Sequence, residues 1–355
     1  MAKSKETLHQ EPVSRGNAHR ARFLKQLTGF VKRQQTEAAG RRKQFFQPDT
    51  TSLEAYGDSI ETYRRQFAAM LGWPLTERRP PHAPVMRKKL VARDGLGDIY
   101  RTWTLTLPGL ETYGLLFLPP GDGPHGLVIS QHGGLGSPEI AAGFFKSDNY
   151  HDMTRRVLRT GLAVFSPQTL LWRPEYGPKF NRQDVDSRLK QTGGSITALE
   201  LYQIQRCLDA LVARPDIDAS RIGMIGLSYG GFYTLFLAAI DTRIRAAVSS
   251  CFFNDRTVYA GSDWTWFNAA NTFLDAEIAC LVAPRPLYVE VGKKDNIFAV
   301  ASARPSARQV KQMYATLGIP GRFQYREHKG THELDKSPAP IEFLQDHLLS
   351  SPRGA

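Results

Sequence analysis

Ser228 sits at the centre of Gly226-Leu-Ser-Tyr-Gly230, after an apolar run beginning at Ile222 and at the start of an apolar segment, 229–240. A serine held on a sharp strand-to-helix turn needs neighbours without side chains two before and two after, where anything larger would collide. Gly226 and Gly230 meet that need. The turn also puts Ser228 at a helix N-terminus, where backbone N–H groups can face a developing oxyanion. The chemistry is nucleophilic attack by a hydroxyl.

A serine nucleophile needs a base, and the base needs an orienting acid. Leu287-Tyr-Val-Glu-Val-Gly-Lys-Lys-Asp295 puts an acid three residues beyond the glycine that ends its run. Phe323-Gln-Tyr-Arg-Glu-His-Lys-Gly-Thr-His332 puts a histidine past a later one. Ser228, Asp295 and His332 thus follow in the order Ser, Asp, His. His328 competes as base but falls at a strand end, where the pleat fixes its direction; His332 lies beyond Gly330 and is preferred. Asp255, after the strand ending near Ser250, is the rival acid. For the oxyanion, His132-Gly-Gly-Leu-Gly136 follows an early apolar run, and its glycines let backbone approach a carbonyl. The expected donors are the amides of Tyr229 and of Gly133 or Gly134.

Other chemistries find no support. No Gly-x-Gly-x-x-Gly follows a strand, and Gly292-Lys293 lacks the flanking residues of a phosphate loop. His328 and His332 are four apart, but Gly330 between them argues against a metal-binding helix face. Asp184 and Asp186 are flanked by Arg182 and Arg188 and read as a solvated loop. Serine chemistry brings its own nucleophile, so neither cofactor nor metal is expected.

The elements that must position these residues alternate. Short apolar runs at 127–131, 162–166, 222–226, 244–250, 287–292 and 323–327 read as strands; 149–160, 195–213, 229–240, 303–317 and 339–349 read as helices. Continuous apolar strands between helices predict βαβ units and a mostly parallel sheet covered on both faces. Residues 101–107 alternate and pair with 112–118 across Pro108-Gly109, an antiparallel hairpin ahead of the parallel part. The stripe Leu53, Tyr56, Ile60, Tyr63, Phe67, Met70 and Leu71 predicts a helix over 52–71, with Thr51 and Glu54 as a capping box. The catalytic domain is therefore expected over 49–350.

Residues 1–43 hold eleven Lys and Arg against three Glu, so a net +8 of the chain's +12 sits in a tail, residues 1–48. Phe23, Leu24, Leu27, Phe30 and Val31 recur at helical spacing there, which predicts an amphipathic helix over 20–33. Its preferred role is to dock on the body or on a second subunit, giving a homo-oligomer; an acidic partner or membrane surface is the alternative. Residues 1–18 read as disordered. No specific nucleic-acid partner is expected. A 41% hydrophobic share, no apolar run of 18 residues, a polar N-terminus and three cysteines without a Cys-x-x-Cys pair fit a reduced, cytoplasmic protein with no transmembrane segment.

Arg221-Ile-Gly, Gly226-Leu-Ser-Tyr-Gly-Gly231, Asp241-Thr-Arg-Ile, Ala283-Pro-Arg-Pro-Leu-Tyr-Val-Glu-Val-Gly-Lys-Lys-Asp295 and Gly330-Thr-His332 together resemble the α/β-hydrolase superfamily. Within it they look like the dienelactone-hydrolase and acetyl-xylan-esterase-like branch, over roughly residues 50–349. The resemblance implies the α/β-hydrolase fold and a triad of Ser228, Asp295 and His332. Gly-x-Ser-Tyr-Gly-Gly is also similar to prolyl-oligopeptidase-type peptidases. The long segments 167–195 and 252–276 are expected over the site. They carry Trp172, Tyr176, Phe180, Trp264, Trp266 and Phe267; Trp172, Trp264 and Trp266 are candidates for a substrate pocket, or else pack the loops down. Lys179, Arg182, Arg188 and Lys190 read either as an anion-attracting set or as solvated charge. The expected activity is hydrolysis of a small carboxylic ester, an acylated carbohydrate among them. The alternatives are a peptidase or acyl hydrolase of the prolyl-oligopeptidase kind, and a silent scaffold whose basic tail binds a partner.

Overall fold

Nine strands form one sheet in the order β1-β2-β3-β5-β4-β6-β7-β8-β9. They are β1 (Met86–Asp94), β2 (Gly97–Leu107), β3 (Leu110–Leu118), β4 (His125–Gln131), β5 (Ala163–Pro167), β6 (Ile217–Leu227), β7 (Ile244–Ser250), β8 (Leu287–Gly292) and β9 (Phe323–His328). Strands β1, β2, β3 and β5 pair antiparallel in succession; from β5 through β4 to β9 every pairing is parallel. The computed structural model describes residues 8–261 and 263–349. Ser262, inside one long loop, and residue 350, the expected domain end, lie outside them, as do residues 1–7 of the tail.

The helices are α1 (Asn17–Phe45), α2 (Leu53–Leu71), α3 (Pro138–Ala141), α4 (Met153–Leu158), α5 (Arg182–Gln191), α6 (Ile196–Val212), α7 (Tyr229–Ile240), α8 (Ala269–Thr272), α9 (Asp275–Cys280), α10 (Val300–Thr316) and α11 (Ala339–Leu348). Period-two alternation sorts the sheet's side chains into two layers. Leu127, Ile129, Met224, Ala247 and Val289 join α2, α6, α7, α9 and α10 on one face. Val128, Ile225, Val248 and Tyr288 join α3, α4 and α11 on the other. Both faces are covered, as continuous apolar strands require.

Several expectations shift. Strand β1 was not foreseen: Arg87-Lys-Lys and its neighbours are almost all exposed, an edge strand kept open to water by charge. Helix α2 is capped by Ser52, whose Oγ accepts from the Ala55 amide at 3.0 Å, rather than by Thr51. Asp184 and Asp186 lie on α5, not on a loop. Asp186 is buried and accepts from the Ile196 amide at 3.0 Å, joining α5 to the start of α6.

The tail also differs. Residues 13–16 form a turn of 3-10 helix that runs into α1, so 13–18 are ordered, and α1 reaches Phe45. Docking falls on its C-terminal half. Ala38 is buried, Arg42 Nε lies 3.2 Å from a Glu277 carboxylate oxygen, and the Phe45 ring meets Tyr63 and Phe273 at 5.6 and 5.2 Å. The Phe23–Val31 stripe remains exposed; Leu27 and Val31 face Asp255, Thr257 and Val258 of the body across an open pocket.

Candidate active site

The chain between β6 and α7 makes a tight elbow at Ser228, with φ 59° and ψ −122°. A non-glycine residue in that region is strained and persists only where its surroundings impose it. The glycines explain how the turn closes. A Cβ on Gly226 would lie 2.3 Å from Gly230 carbonyl atoms, and one on Gly230 would lie 2.1 Å from the Gln131 oxygen. The Ser228 amide donates to the Ser250 carbonyl at 2.9 Å, which ties the elbow to the end of β7.

At the carboxyl ends of β8 and β9 the expected acid and base meet. His332 Nδ1 donates to Asp295 Oδ2 at 2.8 Å, and Asp295 Oδ1 accepts from the Ile297 and Phe298 amides at 2.7 and 3.0 Å. Burial pushes the Asp295 carboxyl up, but His332 and those amides outweigh it and hold it below the usual carboxylate range. With Nδ1 engaged, His332 keeps Nε2 for a substrate proton. The Ser228 hydroxyl makes no hydrogen bond among the described residues, an open geometry common before substrate binds.

The rivals stand apart. His328 is buried against Cys251, its Nε2 3.6 Å from the sulfur, and its Nδ1 accepts from the Gly330 amide at 3.1 Å. Burial lowers its pKa. Asp255 accepts from the Thr257 amide and hydroxyl and pairs with no histidine among the described residues.

The two oxyanion candidates separate as well. The Gly133 amide donates to the Tyr150 hydroxyl at 2.7 Å, so it is occupied. His132 accepts at Nε2 from the Thr169 amide at 3.2 Å, which leaves Nδ1 to donate to the Gly133 carbonyl at 2.9 Å. Burial lowers the pKa of His132 to about 4, so the ring is neutral. In a trans peptide the next N–H points away from that carbonyl. Gly134 N–H is thus turned outward and has no partner among the described residues. The Tyr229 amide, first in α7, likewise has no intrahelical acceptor.

The aromatic loops divide. Trp264 packs on Tyr229 at 5.2 Å, and Phe298 joins it to His332 at 5.8 Å, so it walls the candidate site beside Ser228. Trp266 instead faces the core, 8% exposed, against Phe67 and Phe236. Trp172 lines a separate pocket of about 470 Å³. Arg182 is not solvated. Its guanidinium donates to Glu200 at 2.8 Å, to Asp263 at 2.6 Å and to the Tyr233 hydroxyl at 2.7 Å, while the Tyr229 hydroxyl donates to the same Asp263 oxygen at 2.9 Å. This network, which the sequence reading missed, braces Tyr229, the residue after Ser228. Its one signal was Glu200, a charge between Ile196 and Ile204 on the inward face of α6.

The Prolyl oligopeptidase family matches residues 189–277, about a quarter of the chain, spanning the elbow but not Asp295 or His332. The chain is 26% identical over 272 residues to "Putative hydrolase YtaP" of Bacillus subtilis (strain 168), covering 72% of this chain and 88% of that one. A putative acetyl xylan esterase from Bacteroides fragilis superposes with a TM-score of 0.66 at 16% identity, covering 87% of this chain and 86% of the other. A glucuronoyl esterase from Solibacter usitatus gives 0.62 at 15%, covering 85% and 98%. No helix among the described residues is long and apolar enough to cross a membrane. Strand order, pairing directions and these likenesses agree: the chain has the α/β-hydrolase fold.

Proposed function

We propose that the protein is a serine-dependent hydrolase that cleaves a small carboxylic ester through an acyl-enzyme on Ser228. The observation that carries this reading is the 2.8 Å His332–Asp295 hydrogen bond at the same sheet edge as a strained serine elbow. Ser228 Oγ attacks the ester carbonyl while His332 Nε2 takes its proton. Asp295 fixes the imidazole tautomer and stabilises the imidazolium. The oxyanion is met by the amides of Tyr229 and Gly134. Collapse expels the alcohol, protonated by His332, and a water activated by the same imidazole releases the acid. The likeness to an acetyl xylan esterase and a glucuronoyl esterase supports an acylated carbohydrate as the ester. Three free, buried cysteines support a reducing, cytoplasmic setting.

The match to the Prolyl oligopeptidase family supports a second reading, hydrolysis of a peptide bond by the same residues. A fluorophosphonate probe tests the nucleophile, and paired ester and prolyl-amide substrates separate the two readings. Ser228→Ala should abolish labelling and lower turnover by roughly four to six orders of magnitude. Labelling that persists in the variant would move the nucleophile elsewhere, and an unlabelled native protein would favour a silent scaffold.

A further inference from the structure

We infer that the pocket of about 470 Å³ beside the oxyanion loop is a glycosyl subsite, holding one ring of an oligosaccharide whose ester lies over Ser228. The inference deepens the esterase reading and rests on it for the reacting end only.

Position comes first. Tyr113 lies on β3 where that strand meets the carboxyl end of β5, and its carbonyl accepts from the Gln168 amide at 2.9 Å. Gln168 also places its side-chain nitrogen 3.1 Å from His132 Nε2, so the pocket wall and the oxyanion loop share a residue. Ser137 and Glu139, at the start of α3, continue that loop into the pocket. Strands β5 and β4 lie between β3 and β6, so Tyr113 in the pocket wall stands three strand spacings, about 14 Å, along the sheet from the elbow. That separation suits a short oligosaccharide better than a monosaccharide ester.

Chemistry then selects the ligand. Trp172 and Tyr176, from the loop after β5, and Phe145, from the segment after α3, line the pocket. Phe145 and Tyr176 are 54% and 48% exposed, with rings 9° from parallel and 6.2 Å apart. The Trp172 indole is fixed by donating to the Pro178 carbonyl at 3.1 Å. Among these apolar faces stand Arg101, which makes no side-chain hydrogen bond or ion pair among the described residues, and Glu139, which accepts from the Tyr113 hydroxyl at 2.5 Å. An alkyl chain would desolvate those charged groups without pairing them. A cation would face Arg101 and an anion Glu139. A pyranose has C–H faces for the aromatic rings and hydroxyls for both charges, and the volume lies within the range of small-molecule sites.

The test uses the full chain, with unacylated xylotriose as the binding probe and acetylated xylotriose and p-nitrophenyl acetate as substrates. Trp172→Ala and Tyr176→Ala should each weaken xylotriose binding, read by calorimetry, at least tenfold. They should lower kcat/KM for the acetylated trisaccharide by a similar factor, chiefly through KM, with a several-fold smaller effect on p-nitrophenyl acetate. Tyr176→Phe, which keeps the ring, should bind nearly as the native protein does. Absence of xylotriose binding, or equal losses on both esters, overturns the subsite. Because trisaccharide binding needs no nucleophile, a chain that binds xylotriose but cleaves no ester keeps the subsite and loses the esterase. One that cleaves p-nitrophenyl acetate but binds no xylotriose does the reverse.

Discussion

The hydroxyl of Tyr150 accepts the amide proton of Gly133 at 2.7 Å, which under the proposed mechanism leaves Gly134 rather than Gly133 to meet the oxyanion. Both partners are buried, and burial pushes the tyrosine's pKa up to about 12, so the phenol is neutral. It also occupies the space beside Gly136, where a Cβ would lie 2.5 Å from the oxygen. With one face of the Gly133–Gly134 peptide held by His132 and the preceding amide held by Tyr150, the Gly134 N–H is pre-aimed.

Tyr150→Phe should therefore lower kcat by about tenfold or more with little change in KM, because it strands a buried N–H and loosens the donor loop. Steady-state kinetics on a soluble ester checks this. If the Gly133 amide were itself the donor, releasing it from the tyrosine would leave kcat unchanged or raise it.

The acid and base assignments separate by paired substitution. His332→Ala should be nearly as damaging as loss of Ser228, whereas His328→Ala should spare most activity, since His328 is spent on Cys251 and the Gly330 amide. Asp295→Asn should reduce kcat by about four orders of magnitude, the scale seen when an orienting carboxylate loses its charge. Asp255→Asn should act through local structure only, because its oxygen serves Thr257. The reverse ranking in either pair would relocate the site.

Strands β7 and β8 were legible to the residue, Ile244–Ser250 and Leu287–Gly292, because mostly apolar runs, each broken by a single charge (Arg245, Glu290), end there at serine or glycine. The order of Ser228, Asp295 and His332 followed from loops after such runs. Strand β1 was not legible, since an exposed edge alternates nothing. Trp264 and Trp266 sit two apart yet one walls the site and the other enters the core, because an irregular loop imposes no period. The bracing of Tyr229 by Arg182 and Asp263 joins residues 34 and 81 positions apart, a pairing only the folded chain reveals. In α1 the amphipathic stripe drew attention to 20–33, while docking depends on Ala38, Arg42 and Phe45 beyond it.

Glu290 on β8 predicts a pH-dependent stability separate from catalysis. Its Oε1 accepts from the Ser250 hydroxyl and the Asp335 amide at 2.7 and 2.9 Å, while Oε2 is buried without a partner. Burial pushes the carboxyl up to about 7, against the pull of those donors and of Arg156. A carboxyl that binds its proton more tightly in the folded chain stabilises the fold most below its unfolded pKa. That contribution is lost as pH rises toward 7, to a total on the order of 3 kcal/mol. Glu290→Gln should remove the loss, so the variant's Tm should gain on the native protein's between pH 5 and pH 8. Parallel Tm curves across that range would show that the carboxyl is not desolvated in the fold.

The tail makes the last prediction, and its two halves should answer differently. Deleting residues 1–34 removes the exposed Phe23–Val31 stripe and a net +6, half of the chain's +12, but leaves Ala38, Arg42 and Phe45 in place. Hydrolysis of a soluble ester should then stay within about twofold, and Tm should barely move, since exposed terminal segments are removed without disturbing a packed site. Deleting residues 1–45 removes Arg42 from Glu277, whose side chain is only 5% exposed, and strips Phe45 from Tyr63 and Phe273. Glu277 keeps hydrogen bonds from the Leu274 amide and Gln309 but loses its cation, and together with the lost Phe45 packing this should cost about 2–3 kcal/mol, so that Tm falls by roughly 5 °C. The stripe itself decides what the tail is for. Light scattering should show a fall in oligomeric mass on deletion of 1–34 if Phe23, Leu24, Leu27, Phe30 and Val31 are covered by a second subunit, which is the outcome expected from five apolar side chains left open to water. Unchanged mass, with binding to anionic vesicles that disappears on deletion and weakens steeply with salt, would instead make α1 an electrostatic tether.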